Sequence, residues 1–351
     1  MSLIFSKIIT SYKQNLPFVC FKKPNTSQLR AYFENDSSLR YSDSFEDSGF
    51  VFSPFDDKTP TIIFLNDTCE VLDEKYESNP LRFSKKNNKK VLSDKESHLK
   101  LVRKAINAIQ NKEFVKVVLS RKETIQTKGI DLLDVFERLL QKYHNAFVYI
   151  WFHPKVGLWM GATPEKLMTL KKGEFHTVAL AGTKNYNGFL DPVWGAKENK
   201  EHQYVIDYIV SRIKDQKNGL ILKEFTISDT YTTRAGNLLH LKADIKGFIG
   251  DFNLKAFIYT LHPTPAVCGL PKESAKSFII ENENYKRTYY TGFLGEINID
   301  SKTELFVNLR CVEIDGDNAF IYVGGGITND SDPEKEWVET IYKTRTIKSV
   351  L

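Results

Sequence analysis

AFIYVGGGITNDSDPEKEWVETIYK, residues 319–343, is the stretch around which the chain is organised. An apolar run from Ala319 to Val323 ends in three glycines, a polar loop follows, and then a helix starts. Pro333 suits a first helical position, and Ser331 with Glu334 has the spacing of a capping box. Glu336, Glu339 and Lys343 recur at i, i+3 and i+7, which puts two carboxylates and an ammonium on one helix face. Glycines let backbone N–H groups approach an anion, and paired carboxylates can hold a hard cation. A Gly-rich turn before a solvated amphipathic helix is the plainer alternative.

Working outward, 351 residues allow one large α/β unit or two ordinary domains. A hydrophobic content of 41% with 26% charged residues fits a water-soluble globular chain, and 13% aromatics allow a large core. The net charge of +5, from 49 basic and 44 acidic residues, suits a small anionic substrate and argues weakly for nucleic acid. Cys20, Cys69, Cys268 and Cys311 show no CxxC spacing, so free thiols and no zinc site are expected. The first residues lack the basic start and continuous apolar core of a signal peptide. No stretch reaches the length of a membrane span, and a cytoplasmic location is expected.

Residues 1 to about 83 read as short β-like runs, among them Pro17–Lys22, Gly49–Phe55 and Thr61–Leu65, broken by polar turns. The tract KKNNKK, 85–90, reads as a solvated linker, with a phosphate-binding patch as the sharper alternative. It is the one boundary in an otherwise continuous chain. Ser93 and Glu96 make a second capping box ahead of a helix that ends near Asn111.

Lys116, Val118 and Ser120 share one face of a β-branched strand, 114–121. An amine enclosed in an apolar pocket favours its neutral form and can serve as a general base. An edge-strand lysine reaching solvent is the ordinary alternative. Pro164 interrupts strand pairing, so Glu165 sits at a bend, where it could face a cavity as a general acid or stand on the surface. A strand over Phe175–Leu180 ends in Ala181-Gly182-Thr183, which offers a backbone N–H and a hydroxyl to a ligand. A helix over about 193–216 carries a second carboxylate pair, Glu198 and Glu201. His240 lies in an apolar strand, 237–249, either satisfied in the core or bonded to a substrate. Strands are expected at 289–299 and 304–314. Arg310 shares a face with Asn308 and Phe306 in the second, suited to a carboxylate. Alternation of strand pairs with helices predicts one α/β or α+β body with wide, largely antiparallel sheets.

Several segments taken together resemble the chorismate-utilising enzymes, the anthranilate synthase component I-like family, and within it most closely the isochorismate synthases. They are KVVLSR (116–121), GATPE (161–165), LAGT (180–183), KEHQYVID (200–207), HLKADIKG (240–247), LHPTPAVCGLP (261–271), YYTGFLGEI (289–297), FVNLR (306–310) and GGGITNDSDPEKEWVET (324–340). The resemblance covers about residues 93–348. It implies an α/β sandwich of large, mainly antiparallel β-sheets flanked by helices. Residues 91–351 would form the chorismate-binding catalytic domain, with 1–90 a variable segment packed on it.

The implied activity is Mg²⁺-dependent isomerisation of chorismate to isochorismate, in menaquinone or catechol siderophore biosynthesis, by a monomer without nucleic-acid or membrane partners. By position, Lys116 resembles the base that activates water and Glu165 the acid that protonates the departing hydroxyl. Glu201 and Glu339 resemble the Mg²⁺ ligands, with Glu198 and Glu336 supporting. Tyr290, Arg310 and the N–H groups around Gly324 and Gly326 would bind the enolpyruvyl carboxylate. Gly182, Thr183, His240, Ala266 and Lys343 would line the remaining substrate surface. Ammonia-using relatives tend to carry glutamine where Lys116 stands, and a covalent-adduct relative carries lysine where Ala181 stands, so water is the implied nucleophile. Salicylate synthases share the lysine and stay as an alternative. A noncatalytic binding module is the alternative from another class.

Overall fold

The computed structural model describes residues 2–77, 94–215, 221–235, 238–250 and 253–351. The basic tract 85–90, Ser93 and Asn237 lie outside the described residues.

The chain opens with α1 (Leu3–Lys13), then β1 (Phe18–Lys22), β2 (Gln28–Phe33), β3 (Gly49–Ser53), β4 (Ile62–Leu65) and β5 (Glu70–Lys75). Next come α2 (Lys95–Gln110), β6 (Lys116–Gln126), α3 (Leu132–Lys142), β7 (Phe147–His153), β8 (Gly157–Thr163), β9 (Lys166–Lys171) and β10 (Glu174–Asn185). After α4 (Ala196–Lys214) follow β11 (Leu222–Ile227), β12 (Tyr231–Ala235), β13 (Leu238–Ile249), α5 (Leu254–Leu261), β14 (Gly269–Leu270) and α6 (Lys272–Asn282). The chain ends with β15 (Phe293–Ile299), β16 (Lys302–Val307), β17 (Cys311–Asp315), β18 (Asn318–Ile327) and α7 (Pro333–Lys348).

These strands form two sheets. Sheet A runs β14-β6-β18-β17-β8-β7-β1-β2-β5; sheet B runs β11-β13-β10-β9-β16-β15-β3-β4, with β12 also on β13. Every described pairing is antiparallel. Sheet faces carry the apolar side chains that make this layering stable. β7, FVYIWFH, is buried at every position, as expected of a strand covered on both faces. Its Phe147, Tyr149 and Trp151 point between the sheets into an aromatic layer with Phe21, Phe50, Phe52 and Phe306. Phe52 stacks on Tyr289 at 4.2 Å and Phe147 on Phe306 at 4.4 Å, which uses the high aromatic content as glue between sheets. The alternate residues Val148, Ile150 and Phe152 face α1 and α3 on the outside of sheet A. On the outside of sheet B, α4 and α5 bury Val205, Ile209, Phe257 and Leu261. The result is a helix–sheet–sheet–helix sandwich, the fold expected from the resemblance.

Several local expectations need correction. The N-terminus is helical, because Ile4, Phe5 and Ile8 recur at helical spacing and are buried. The cap of α7 is Asp332, not Ser331: its side chain accepts from Lys335 N at 2.9 Å, while Ser331 Oγ accepts from Thr328 N. Pro333 is the first helical residue as expected. At α2 the cap position is Asp94, and its side chain makes no capping bond. The three glycines are not a turn. They belong to β18 and pair with Ser120, Leu119 and Val118 of β6. β10 does not end before Ala181; it continues to Asn185 through a register shift between Ala181 and Lys184, where Gly182 takes φ +71°. Tyr289 and Tyr290 lie in a turn ahead of β15.

The most consequential correction is that residues 304–314 are two strands in different sheets. β16 belongs to sheet B and β17 to sheet A, and Asn308–Arg310 crosses between them. Arg310 holds φ +49°, a left-handed backbone that turns the chain into β17. A second crossing, in the opposite direction, occurs at Pro164–Glu165 between β8 and β9. The two crossings lie side by side: Val307 N donates to Glu165 O at 2.9 Å and Ala162 N to Arg310 O at 3.1 Å. Strands that switch sheets make the corners of such sandwiches. Here the two corners place Glu165 and Arg310 together.

Candidate active site

A cavity opens beside these corners, and thirteen of the residues singled out from sequence line it: Lys116, Glu165, Gly182, Thr183, Glu201, His240, Ala266, Tyr290, Arg310, Gly324, Gly326, Glu339 and Lys343. Glu198 and Glu336 stand outside the lining.

Lys116 begins β6, and the short β14 pairs with it on the side away from β18. The pairing makes Lys116 an interior-strand residue and not an edge lysine in solvent, and its side chain, packed beside Gly326 and Glu201, is 1% exposed. Its Nζ meets Glu201 Oε1 on α4 at 2.9 Å. Glu165 is 6% exposed, and the Thr163 hydroxyl pins its corner by accepting from Glu165 N and donating to Val307 O at 2.6 Å. Burial pushes the Glu165 carboxyl up to about 7, against the pull of Lys116, Lys343 and Arg310.

The glycines matter because of what faces them. A Cβ on Gly326 would overlap Glu201 Oε1 and stand 3.0 Å from Lys116 Cε; one on Gly324 would meet the Tyr290 hydroxyl at 3.0 Å. β17 pairs with β18 only as far as Ile321, so the edge of β18 opposite β6 is free of β17 at the glycines. Lys343 Nζ donates to Gly324 O at 3.0 Å, which shows the Gly324 peptide groups directed away from β6. Strand alternation gives Gly326 the same direction, so both N–H groups point to the open edge.

Arg310 donates from one Nη to Lys343 O at 3.2 Å, and among the described residues no carboxylate lies within ion-pair distance of it. A partly buried guanidinium without a counter-ion is a receptor for an anion. His240 Nδ1 lies 2.8 Å from Gly182 O and takes the donor role there, which leaves Nε2 as an acceptor. That Nε2 is buried without a partner. Burial, reinforced by Arg310, lowers the His240 imidazole to about 3, so the ring is neutral.

Among the described residues, no group of three or more His, Cys, Asp or Glu side chains is arranged to hold a metal ion. The glutamates are instead taken up by lysines: Glu201 by Lys116 at 2.9 Å, Glu336 by Lys197 at 2.6 Å and Glu339 by Lys343 at 2.6 Å. Glu198 is the third residue of α4, and its carboxylate folds back toward Gly195 at the helix start, where the helix dipole favours it. Glu336 and Glu339 both approach Gly325. Burial raises the Glu336 carboxyl, and the charge of Glu339 adds to the rise. Burial also works against the charge on Glu339, but Lys343 outweighs it and holds that carboxyl low. These crowded hard carboxylate oxygens are the groups here that could hold a hard divalent cation, whose charge would relieve the repulsion between them. Lys197, which lines the cavity, escaped the sequence reading; its place four residues before Glu201 on the same helix is the signal that could have found it.

The sequence matches the family described as "Chorismate binding enzyme" over residues 52–351. It is 28% identical over 315 residues to the vibriobactin-specific isochorismate synthase of Vibrio cholerae, covering 85% of this chain and 78% of that protein. It is 28% identical over 275 residues to the isochorismate synthase MenF of Escherichia coli, covering 74% of this chain but 61% of that protein. The solved structure of the menaquinone-specific isochorismate synthase MenF from Escherichia coli superposes with a TM-score of 0.80 at 19% identity, over 95% of this chain and 88% of that one. At that identity the likeness concerns the fold.

Proposed function

The chain belongs to the chorismate binding enzymes, and from that premise we propose that it is an isochorismate synthase, a Mg²⁺-dependent isomerase serving menaquinone or catechol siderophore biosynthesis. The observation that carries the reading is a carboxyl raised to about 7 and a buried lysine lining one cavity. Glu165 is a proton donor near neutral pH, and the Lys116 amine beside it is the group placed to take a proton once Glu201 releases it.

In this reading Lys116 takes a proton from a water that attacks C2 of chorismate. The new C2–O bond forms, the ring double bonds shift, and the C4–O bond breaks. Glu165 gives its proton to the departing hydroxide, which leaves as water, so one water is consumed and one released. Arg310, Tyr290 and the N–H groups of Gly324 and Gly326 hold the enolpyruvyl carboxylate. His240 Nε2 accepts from a substrate hydroxyl, and Gly182, Thr183, Ala266 and Lys343 complete the surface. Glu201 and Glu339 would hold Mg²⁺, with Glu198 and Glu336 in support, and each glutamate now on a lysine would exchange that partner. When bound, the ion neutralises the second substrate carboxylate.

The test is purified protein with chorismate and Mg²⁺, coupled to an isochorismate-consuming enzyme. Metal-dependent turnover is expected, and none at all overturns the proposal. Salicylate fluorescence with pyruvate release would mean a salicylate synthase instead. An aminated product with ammonium would mean an anthranilate-type reaction.

A further inference from the structure

Three walls of the cavity come from distant parts of the chain: β6 with Lys116 and Val118, the loop with Ala266 and Val267, and the turn with Tyr290 and Thr291. Behind all three lies Arg287, which is buried and does not line the cavity. A guanidinium has five N–H bonds in a rigid fork, and every one is used. Nε donates to Glu283 Oε2 at 2.8 Å, and Nη2 donates to Glu283 Oε1 at 2.6 Å. Nη2 also donates to Val118 O at 2.7 Å. Nη1 donates to Val267 O at 2.9 Å and to Thr291 Oγ1 at 3.3 Å. Glu283, at the end of α6, in turn accepts from the backbone N and the hydroxyl of Ser120 at 2.7 and 2.8 Å. The Phe55 ring covers the guanidinium at 4.7 Å and helps to keep water out.

We infer that Arg287, clamped by Glu283, is a positioning residue that fixes the distances between the Lys116 strand, the Ala266 wall and the Tyr290 turn. The chemistry of the fork is what the position requires. A lysine keeps the charge but offers three donors from one point, and it cannot reach Glu283, Val118 O and Val267 O together. Hydrogen bonds in this dry setting are stiff, and losing one partner leaves carbonyls unpaired that nothing nearby can satisfy. The effect on turnover rests on the isochorismate synthase reading; the effect on wall geometry does not.

The experiment compares wild type with Arg287→Lys and with Glu283→Gln, the second retaining the shape and an acceptor oxygen of Glu283. Outright removal of the arginine is avoided, because an unpaired buried carboxylate unfolds proteins. Each variant is assayed well below its own melting temperature, with folding checked by circular dichroism. For Arg287→Lys we expect kcat to fall about 10²-fold, the cost of a displacement of about 1 Å at the reacting groups, with a much smaller change in KM for chorismate. Glu283→Gln should fall in the same direction by less. Without substrate, amide hydrogen exchange should rise together in residues 117–120, 266–268 and 290–292 and stay unchanged in β7 and β8. A folded Arg287→Lys protein with wild-type kcat, or one whose exchange rises equally throughout sheet A, overturns the inference and leaves Arg287 a stabilising ion pair only. If wild type itself fails to convert chorismate, the functional proposal falls and the exchange comparison still decides this one.

Discussion

Glu165→Gln tests the acid, and its consequences can be worked out for both rate and stability. The carboxyl is raised from 4.5 to about 7 by burial. At pH 7 about half the molecules then hold the proton, against roughly 0.3% for an ordinary glutamate, a gain of about 150-fold in competent acid. Glutamine fills the same space and has no proton to give. The expected loss in kcat is about 10²–10⁴-fold, the range of general acid catalysis. In wild type, kcat/KM should decline as pH rises through about 7, and this limb should be missing in the variant. Stability gives an independent reading. The folded carboxyl is raised above its unfolded value, so its contribution is present below pH 4.5 and is lost as pH rises through about 7. A shift of this size amounts to about 3 kcal/mol, so urea unfolding should show wild type losing about that much relative to Glu165→Gln between pH 4 and pH 8. The assays are a pH–rate profile and urea melts at the two ends. A stability difference that does not vary with pH, or a variant keeping more than about a tenth of wild-type kcat, would refute the reasoning.

Further perturbations address the other parts. Lys116→Met should abolish turnover to the same degree, about 10²–10⁴-fold, while chorismate binding measured by calorimetry changes little. Gly326→Ala places a methyl against Glu201 Oε1, so it should cut kcat while a Gly325→Ala control, with its nearest neighbour at 3.5 Å, is milder. Arg310→Lys loses the planar fork for the carboxylate, and the expected result is a rise in KM of about tenfold or more with the protein still folded. Chelation by EDTA should stop turnover and added Mg²⁺ should restore it, with a Mg²⁺-dependent rise in melting temperature that is absent in Glu339→Gln.

Much of this architecture was legible because burial writes itself into pattern. The run FVYIWFH, short and rich in aromatic and β-branched residues, reads as a strand, and the periodic Val135, Phe136, Leu139 and Leu140 of α3 read as one face of an amphipathic helix; both are buried as that pattern implies. The site residues were legible as a set through the order of their motifs, and the fold brings thirteen of them to one cavity. The crossing at Asn308–Arg310 was hidden. FVNLRCVEI keeps its strand composition throughout, and the break is a left-handed backbone at a residue that seldom signals one. The glycines looked like a turn because glycine is common there, whereas here they serve close approach by Glu201 and Tyr290. The lysine partners of the glutamates were equally hidden: the pairing of Lys197 with Glu336 joins residues 139 apart in sequence. No local spacing carries such information. The five bonds of Arg287 belong to the same class.

The central claim is that water enters at C2 while the C4 hydroxyl leaves, with Lys116 and Glu165 moving the protons. Mass spectrometry of isochorismate formed from unlabelled chorismate in H₂¹⁸O tests it most directly. The account predicts one ¹⁸O in the product, located at C2. Isochorismate formed without label, its hydroxyl carried over from C4, would contradict it.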